Sequence, residues 1–236
     1  MMYDKRFDGR DWDELRPIEA KVNVIKNADG SAFFRMGKTA GFAAVYGPRK
    51  LIPKFMQDSE KGILRVTYWM MPFSGMGGRV KPIPNRRAQE LSKVIENALS
   101  KVVMLEEFPN SVVDVFIALT ETDAGSRCVA LNAASLALAS AGIAMKDLVC
   151  AVALGRVDDK LVTDLNYEEE AFDGLVADVP FGVVPSTREI VLLQADGYIT
   201  KDMFLTLLDE KLDKAINQIY EIQKKTLIDY YKEVEE

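Results

Sequence analysis

Cys128-Val129-Ala130-Leu131-Asn132-Ala133-Ala134-Ser135-Leu136-Ala137-Leu138-Ala139-Ser140-Ala141, followed by Gly142, decides the fold. Ala and Leu favour helix, and a glycine just past the last turn supplies a C-terminal cap. Small or apolar residues on nearly every face mean a helix packed on both sides, in the middle of the molecule. Upstream, Val112 to Leu119 has strand composition. Before it, Leu91, Val94, Ile95, Ala98, Leu99, Val102 and Val103 recur at helical spacing, with Pro84 and Asn85 as start signals.

Earlier still, the chain meanders. Lys21 to Ile25 alternates, Ala28-Asp29-Gly30 turns, and Ser31 to Arg35 returns. Gly41 to Tyr46 and Gly62 to Met70 are the third and fourth strands. Downstream of the central helix, strands are expected at Leu148–Leu154, Lys160–Leu165, Val176–Val184 and Glu189–Leu193. A final helix starts near Lys201, with Leu205, Leu208, Leu212, Ile216, Ile219 and Ile222 as its stripe. Its tail from Tyr231 to Glu236 is expected to fray. Strands followed by helices, twice over, describe an α+β chain. It has two βα-layered halves, with mixed sheets packed on helices, dividing near Lys146 into 1–147 and 148–236.

The chain has 236 residues, a net charge of −6 and no histidine. Proton transfer therefore falls to carboxylates, Lys, Tyr, Cys or bound water. The two cysteines, Cys128 and Cys150, are too few for a disulfide framework and sit in apolar settings, as small core residues. Zinc has no ligand set here. No apolar run approaches the roughly 20 residues of a membrane helix, and the first six residues lack the core of a signal peptide, so the cytoplasm is expected. The acidic balance excludes a surface that coats nucleic acid throughout. It leaves room for a local basic channel, and Arg79, Lys81, Arg86 and Arg87 form such a stripe.

Two segments carry candidate chemistry. Asn85-Arg86-Arg87 and Asp123-Ala124-Gly125-Ser126-Arg127 each open a helix and put guanidinium groups beside free backbone N–H groups, an oxyanion site. Adjacent arginines diverge by about 100° on a helix, so one can face a phosphate and the other an RNA backbone, or both can be solvated. Cations at a helix start oppose the dipole, a conflict that a bound anion removes. Gly125 permits close approach, Ser126 caps and donates, and Arg127 offers a planar fork. The plain alternative is a serine cap after a turn. No nucleotide-binding glycine loop is present.

Glu168, Glu169, Glu170 and Asp173 could be a solvated turn. Asp178 is a lone carboxylate in an apolar strand, expensive unless paired or working. Asp178 or Glu170 is the natural proton donor or metal ligand. Arg49, Lys50 and Lys54, in the loop after the third strand, and Arg65 on the fourth are candidate RNA contacts.

In order, Phe7-Asp8-Gly9-Arg10, Asp13-Glu14-Leu15-Arg16-Pro17-Ile18, Ala44 to Arg49, Met71-Pro72-Phe73-Ser74, Asn85-Arg86-Arg87, Asp123 to Arg127, Ala177 to Phe181 and Leu193 to Gly197 resemble the RNase PH family, in its archaeal exosome branch. The resemblance covers nearly the whole chain. It implies an RNase PH-like fold and 3′→5′ degradation of RNA by inorganic phosphate, releasing nucleoside diphosphates, with reversal to tail synthesis. It also implies Mg²⁺ near Asp178 and Glu170, a heterohexameric ring with a homologous non-catalytic subunit, and RNA-binding cap proteins. The phosphate element falls on Gly125, Ser126 and Arg127, and the arginine pair that holds RNA and phosphate on Arg86 and Arg87. The second family carboxylate falls on Asp178. The first is usually Asp; here it is Glu170, about two residues further from Asp178, with Asp173 as a substitute. Alternatives are a non-catalytic scaffold of the same ring and a tRNA 3′-trimming homohexamer.

Overall fold

The computed structural model describes residues 3–76, 78–81 and 84–235. Its first sheet contains β1 (Ile18–Val22), β2 (Gly30–Met36), β3 (Thr39–Lys50), β4 (Ile63–Met70) and β5 (Ser111–Glu121), in the order β1-β2-β3-β5-β4. Only β4 and β5 run parallel, because α1 (Arg86–Leu99) connects them as a crossover. The second sheet, from β6 (Cys150–Val157), β7 (Lys160–Thr163), β8 (Val176–Val184), β9 (Glu189–Leu193) and β10 (Asp196–Gly197), is antiparallel throughout. Of the two sheets expected to be mixed, only the first is.

Between them lies α2 (Ser126–Ser140), buried at every position from Cys128 to Leu138. It packs on β2 and β3 from one side and β6 from the other, and one apolar core runs through both sheets and this helix. Truncating a fully buried leucine such as Leu131 or Leu136 to alanine would cost about 2–5 kcal/mol. Gly142, with φ 69°, ends the helix as expected: its N–H donates to the Ala139 carbonyl and that of Ile143 to Leu138. Asn132, inside α2, exchanges two hydrogen bonds with the backbone of Ala151 on β6. Cys128 and Cys150 are free and buried, and burial pushes both thiols up.

The first strand lies at Ile18–Val22 and not at Lys21–Ile25. Asn23, at φ 55°, turns the chain out of the strand, and Ile18, Ala20 and Val22 supply the inward face. The final helix also differs. α4 (Lys201–Thr206) passes into α5 (Asp213–Glu235) through a π-helical turn at Leu207–Leu212. That turn resets the inward face to Leu207, Leu212, Ala215, Ile216, Ile219 and Gln223, leaving Leu205 exposed. Helix α5 continues through Glu235, and Glu236 lies outside the described residues, as do Met1 and Met2.

The halves exchange arms. Tyr3 packs with Val157, Val162 and Leu165 of the second half, and Arg6 forms a fully buried ion pair with Glu169 at 2.8 Å. In return, α5 lies against β1, where Asn23 donates to the Tyr230 hydroxyl at 2.6 Å.

Candidate active site

A cleft of about 530 Å³ opens where the start of α2 meets β8, β10 and the short helix α3 (Tyr167–Glu170). Its floor is the loop before α2. Gly125 has φ 62° and ψ 22°, and Ala124 precedes it at φ 60°, so two successive residues are left-handed. A non-glycine residue in that region costs about 1–2 kcal/mol, so the loop is held there by its surroundings. Ser126 is the first helical residue and not the cap; no side chain caps α2. Among the described residues, the N–H groups of Gly125, Ser126 and Arg127 have no acceptor, and all three residues line the cleft. The positive end of a 15-residue helix therefore faces that space.

Arg127 is held by one edge. Its Nη1 donates to Gln194 Oε1 at 2.6 Å, and Gln194 donates to Glu90 on α1 at 3.2 Å. The rest of the guanidinium remains for a ligand. From α1, Arg87 also lines the cleft, while Arg86 is outside its lining. Asn85 caps α1, accepting from the Ala88 N–H at 2.8 Å. The expected pair of open helix starts is thus one open start and one arginine side chain.

The wall opposite carries acid. Asp178 and Glu170 both line the cleft, joined by Asp196, which pairs with Asp178 across β10 and β8. Burial, reinforced by the neighbouring Asp178 charge, pushes the Glu170 carboxyl up to about 7 against the pull of Arg127, Arg87 and Arg16. Burial likewise pushes Asp178 up to about 6, with Asp196 adding to the shift and Arg127 and Arg87 opposing it. Asp178 Oδ1 is buried without a hydrogen-bond partner. Asp173 is exposed and outside the lining, so it does not stand in for the first carboxylate.

The run Glu168-Glu169-Glu170 divides by direction. Glu168 is exposed, Glu169 is buried against Arg6 and Tyr3, and Glu170 faces the cleft. Asn166 and Glu169 form a reciprocal cap on α3, which fixes where Glu170 projects. Asp196, Arg16, Asp164 and the Arg6–Glu169 pair were not read from the sequence as parts of this site. The signal for Arg16 and Arg6 was present: each sits in a quoted N-terminal motif, or beside one, without a surface reason for its charge.

The remaining RNA candidates lie elsewhere. Arg49 stacks over the Tyr46 ring at 4.8 Å and lies 3.8 Å from Asp29. Lys50 and Lys54 are exposed around the turn after β3. Arg65 is forked onto Asp114 on the neighbouring strand and is not a free cation. Arg79 and Lys81 are described but Pro82 and Ile83, between them and α1, lie outside the described residues. For a divalent cation, the orphaned Asp178 Oδ1 beside Glu170 is a suitable acceptor pair, although no group of three His, Cys, Asp or Glu at ligand spacing occurs among the described residues. Mg²⁺ commonly takes one or two carboxylates and completes its shell with water and substrate oxygens, so two acids fit it.

The chain is 49% identical over 227 residues to "Exosome complex component Rrp41" of Thermococcus kodakarensis, spanning 96% of this chain and 90% of that one. The Nitrosopumilus maritimus protein of the same name is 47% identical over 227 residues, spanning 96% and 91%. The crystal structure of rice Rrp46 superposes with a TM-score of 0.82 at 25% identity, covering 94% of this chain and all of that one. The structure titled as the Archaeoglobus fulgidus exosome with RNA bound to the active site has a TM-score of 0.75 at 24% identity, covering 94% and 92%, and supports the fold. Profiles of the 3′ exoribonuclease family match twice, domain 1 over residues 14–144 and domain 2 over residues 147–214. With both family domains matched and near-half identity over almost its whole length, the chain belongs to the 3′ exoribonuclease, or RNase PH, family.

Proposed function

We propose that the chain is a 3′→5′ phosphorolytic exoribonuclease that cleaves the terminal linkage of RNA with inorganic phosphate and releases nucleoside diphosphates, as the catalytic subunit of an exosome ring. The observation that carries this is the convergence of the open α2 start, Arg87, Arg127, Glu170 and Asp178 on one cleft. A phosphate seated on the N–H groups of Ser126 and Arg127 lies where both guanidinium groups can share its charge. As its oxygen attacks the terminal phosphorus, negative charge spreads over the transferring group, and Arg87 and Arg127 meet that charge without reorganising. The departing 3′ oxygen takes a proton from the carboxyl pair. Glu170, at about 7, is the member that still holds one near neutrality.

Asp178, with its unpartnered oxygen, would hold Mg²⁺ together with substrate oxygens, and Glu170 would join it only after giving up its proton. When bound, the ion would neutralise charge on the phosphates. Residues 1–147 supply the phosphate and RNA elements and 148–236 the acids, so the division at residue 147 places the reaction between two halves. Arg86 grips the RNA backbone beside the site. Arg49, Lys50 and Lys54 contact incoming single-stranded RNA through phosphate and sugar, with weak sequence preference, whereas Arg65 is engaged by Asp114. The ring is completed by a homologous non-catalytic RNase PH-like subunit and capped by RNA-binding proteins, in the cytoplasm. Among the described residues no helix is long and apolar enough to cross a membrane.

The test is product analysis on the assembled ring. Phosphate should release nucleoside diphosphates and sulfate should release nothing; nucleoside monophosphates would mean hydrolysis and overturn the reading. Excess nucleoside diphosphate should lengthen an RNA primer.

A further inference from the structure

Behind the phosphate loop, on the side away from the cleft, lies one guanidinium that the proposed chemistry does not use. Arg16 is 4% exposed, and its backbone N–H and Nε both donate to Asp164 Oδ2 at 2.9 Å. Its Nη2 donates to Asp164 Oδ1 at 2.7 Å, and its Nη1 donates to the Asp123 backbone carbonyl. Asp164 is 1% exposed, so both partners are out of water, and a buried pair of this kind persists only when its geometry is well satisfied.

The position of this pair matters more than its strength. A Cβ on Gly125 would meet Arg16 Nη2 at 3.0 Å, so the guanidinium is seated directly against the left-handed residue that opens α2. Thr39 Oγ1 grips the same loop from the sheet, accepting from the Asp123 N–H at 2.8 Å and donating to the Ala124 carbonyl at 2.7 Å. The Asp123 carboxylate accepts the Tyr167 N–H at 2.9 Å, and Tyr167 is the first residue of the helix that ends in Glu170. One buried cation therefore ties the loop that offers N–H groups to phosphate to the helix that carries the acid. It comes from neither, but from the N-terminal segment that wraps across to the second half.

We infer that Arg16 is a positioning residue for phosphate: braced by Asp164, it holds Asp123-Ala124-Gly125 in its left-handed course and sets the Ser126 and Arg127 N–H groups against Glu170. This inference rests on the phosphorolytic reading and deepens it. A purely structural arginine would lower stability and the amount of active ring while leaving KM for phosphate alone. A positioning one moves that KM, because a loop misplaced by a fraction of an ångström loses oriented contacts.

The experiment uses the assembled ring with Arg16→Lys, which keeps the charge and loses the fork, and with Thr39→Val, which removes the second grip on the loop. Phosphate KM, kcat, RNA affinity and ring assembly are measured together. The expected result for Arg16→Lys is a rise in phosphate KM on the order of tenfold with RNA affinity within twofold of the parent. Thr39→Val should raise phosphate KM by about threefold, and carries the test alone if Arg16→Lys does not assemble. Phosphate KM unchanged in the assembled variants would overturn the inference. Absence of phosphate-dependent diphosphate release in the parent ring would instead overturn the reading beneath it.

Discussion

Helix α1 closes its own start with Asn85, whereas α2 leaves its start open behind a left-handed Gly125. Both starts carry arginine and both were expected to hold an anion, yet only one contributes backbone. A side-chain cap stabilises a helix by satisfying its first N–H groups. An open start keeps those donors for a ligand and must be held in shape from outside. Arg16, Asp164 and Thr39 do that for α2. Nothing comparable is needed at α1, which lends the site a side chain from a surface helix.

Six substitutions sharpen or break this contrast. The largest effect belongs to the open start and the wall it faces. Arg127→Ala or Asp178→Ala should lower phosphate-dependent RNA decay by about 10³-fold or more with ring assembly intact, and full activity in either would remove the site. Next, Arg87→Ala should cost on the order of 10²-fold in kcat/KM. Arg86→Ala should instead weaken RNA binding modestly and reduce the slope of log affinity against log salt by about one. Equal effects of the two arginines on phosphate KM would erase the distinction drawn at α1.

Stability should move the other way at the acid wall. The folded state raises Asp178 from 3.8 to about 6, so the fold favours the neutral carboxyl, and the stability this group allows is lost as pH rises through that window. Asp178→Asn, measured without Mg²⁺ or phosphate, should therefore raise Tm by several degrees at about pH 8 and by little below about pH 4. A lower Tm at the higher pH would contradict the buried-charge account. The smallest effect is at the closed start: Asn85→Ala should lower Tm by about 2–4 °C and leave phosphate KM unchanged.

Much of the secondary structure was legible because each element carries its own period. The α2 segment announced its double-sided burial through small residues, and α1 announced its stripe and its cap. The terminal helix was read correctly at Leu212, Ile216 and Ile219 but not at Leu205, which is exposed, since a π turn at Leu207–Leu212 shifts the inward face; Gln223 also reaches the core. No local pattern marks such a shift, because it is decided by what α5 packs against. The first strand slipped for a related reason: Lys21 to Ile25 alternates as well as Ile18 to Val22, and only pairing with β2 selects between them.

The chemistry-bearing residues divide along the same line. Gly125, Ser126, Arg127 and Asp178 could be named from the chain, because a glycine-serine-arginine helix start and a carboxylate in an apolar strand are local anomalies. Glu170 was named as well, although Glu168, Glu169 and Glu170 have identical chemistry and differ only in direction. Folding decides that by pairing Glu169 with Arg6 from 163 residues away and turning Glu170 into the cleft. The sequence by itself determined the elements and the kinds of group available, as these depend on neighbours a few residues apart. Only the tertiary structure decided which charges meet, because burial and direction are set by segments remote in the chain.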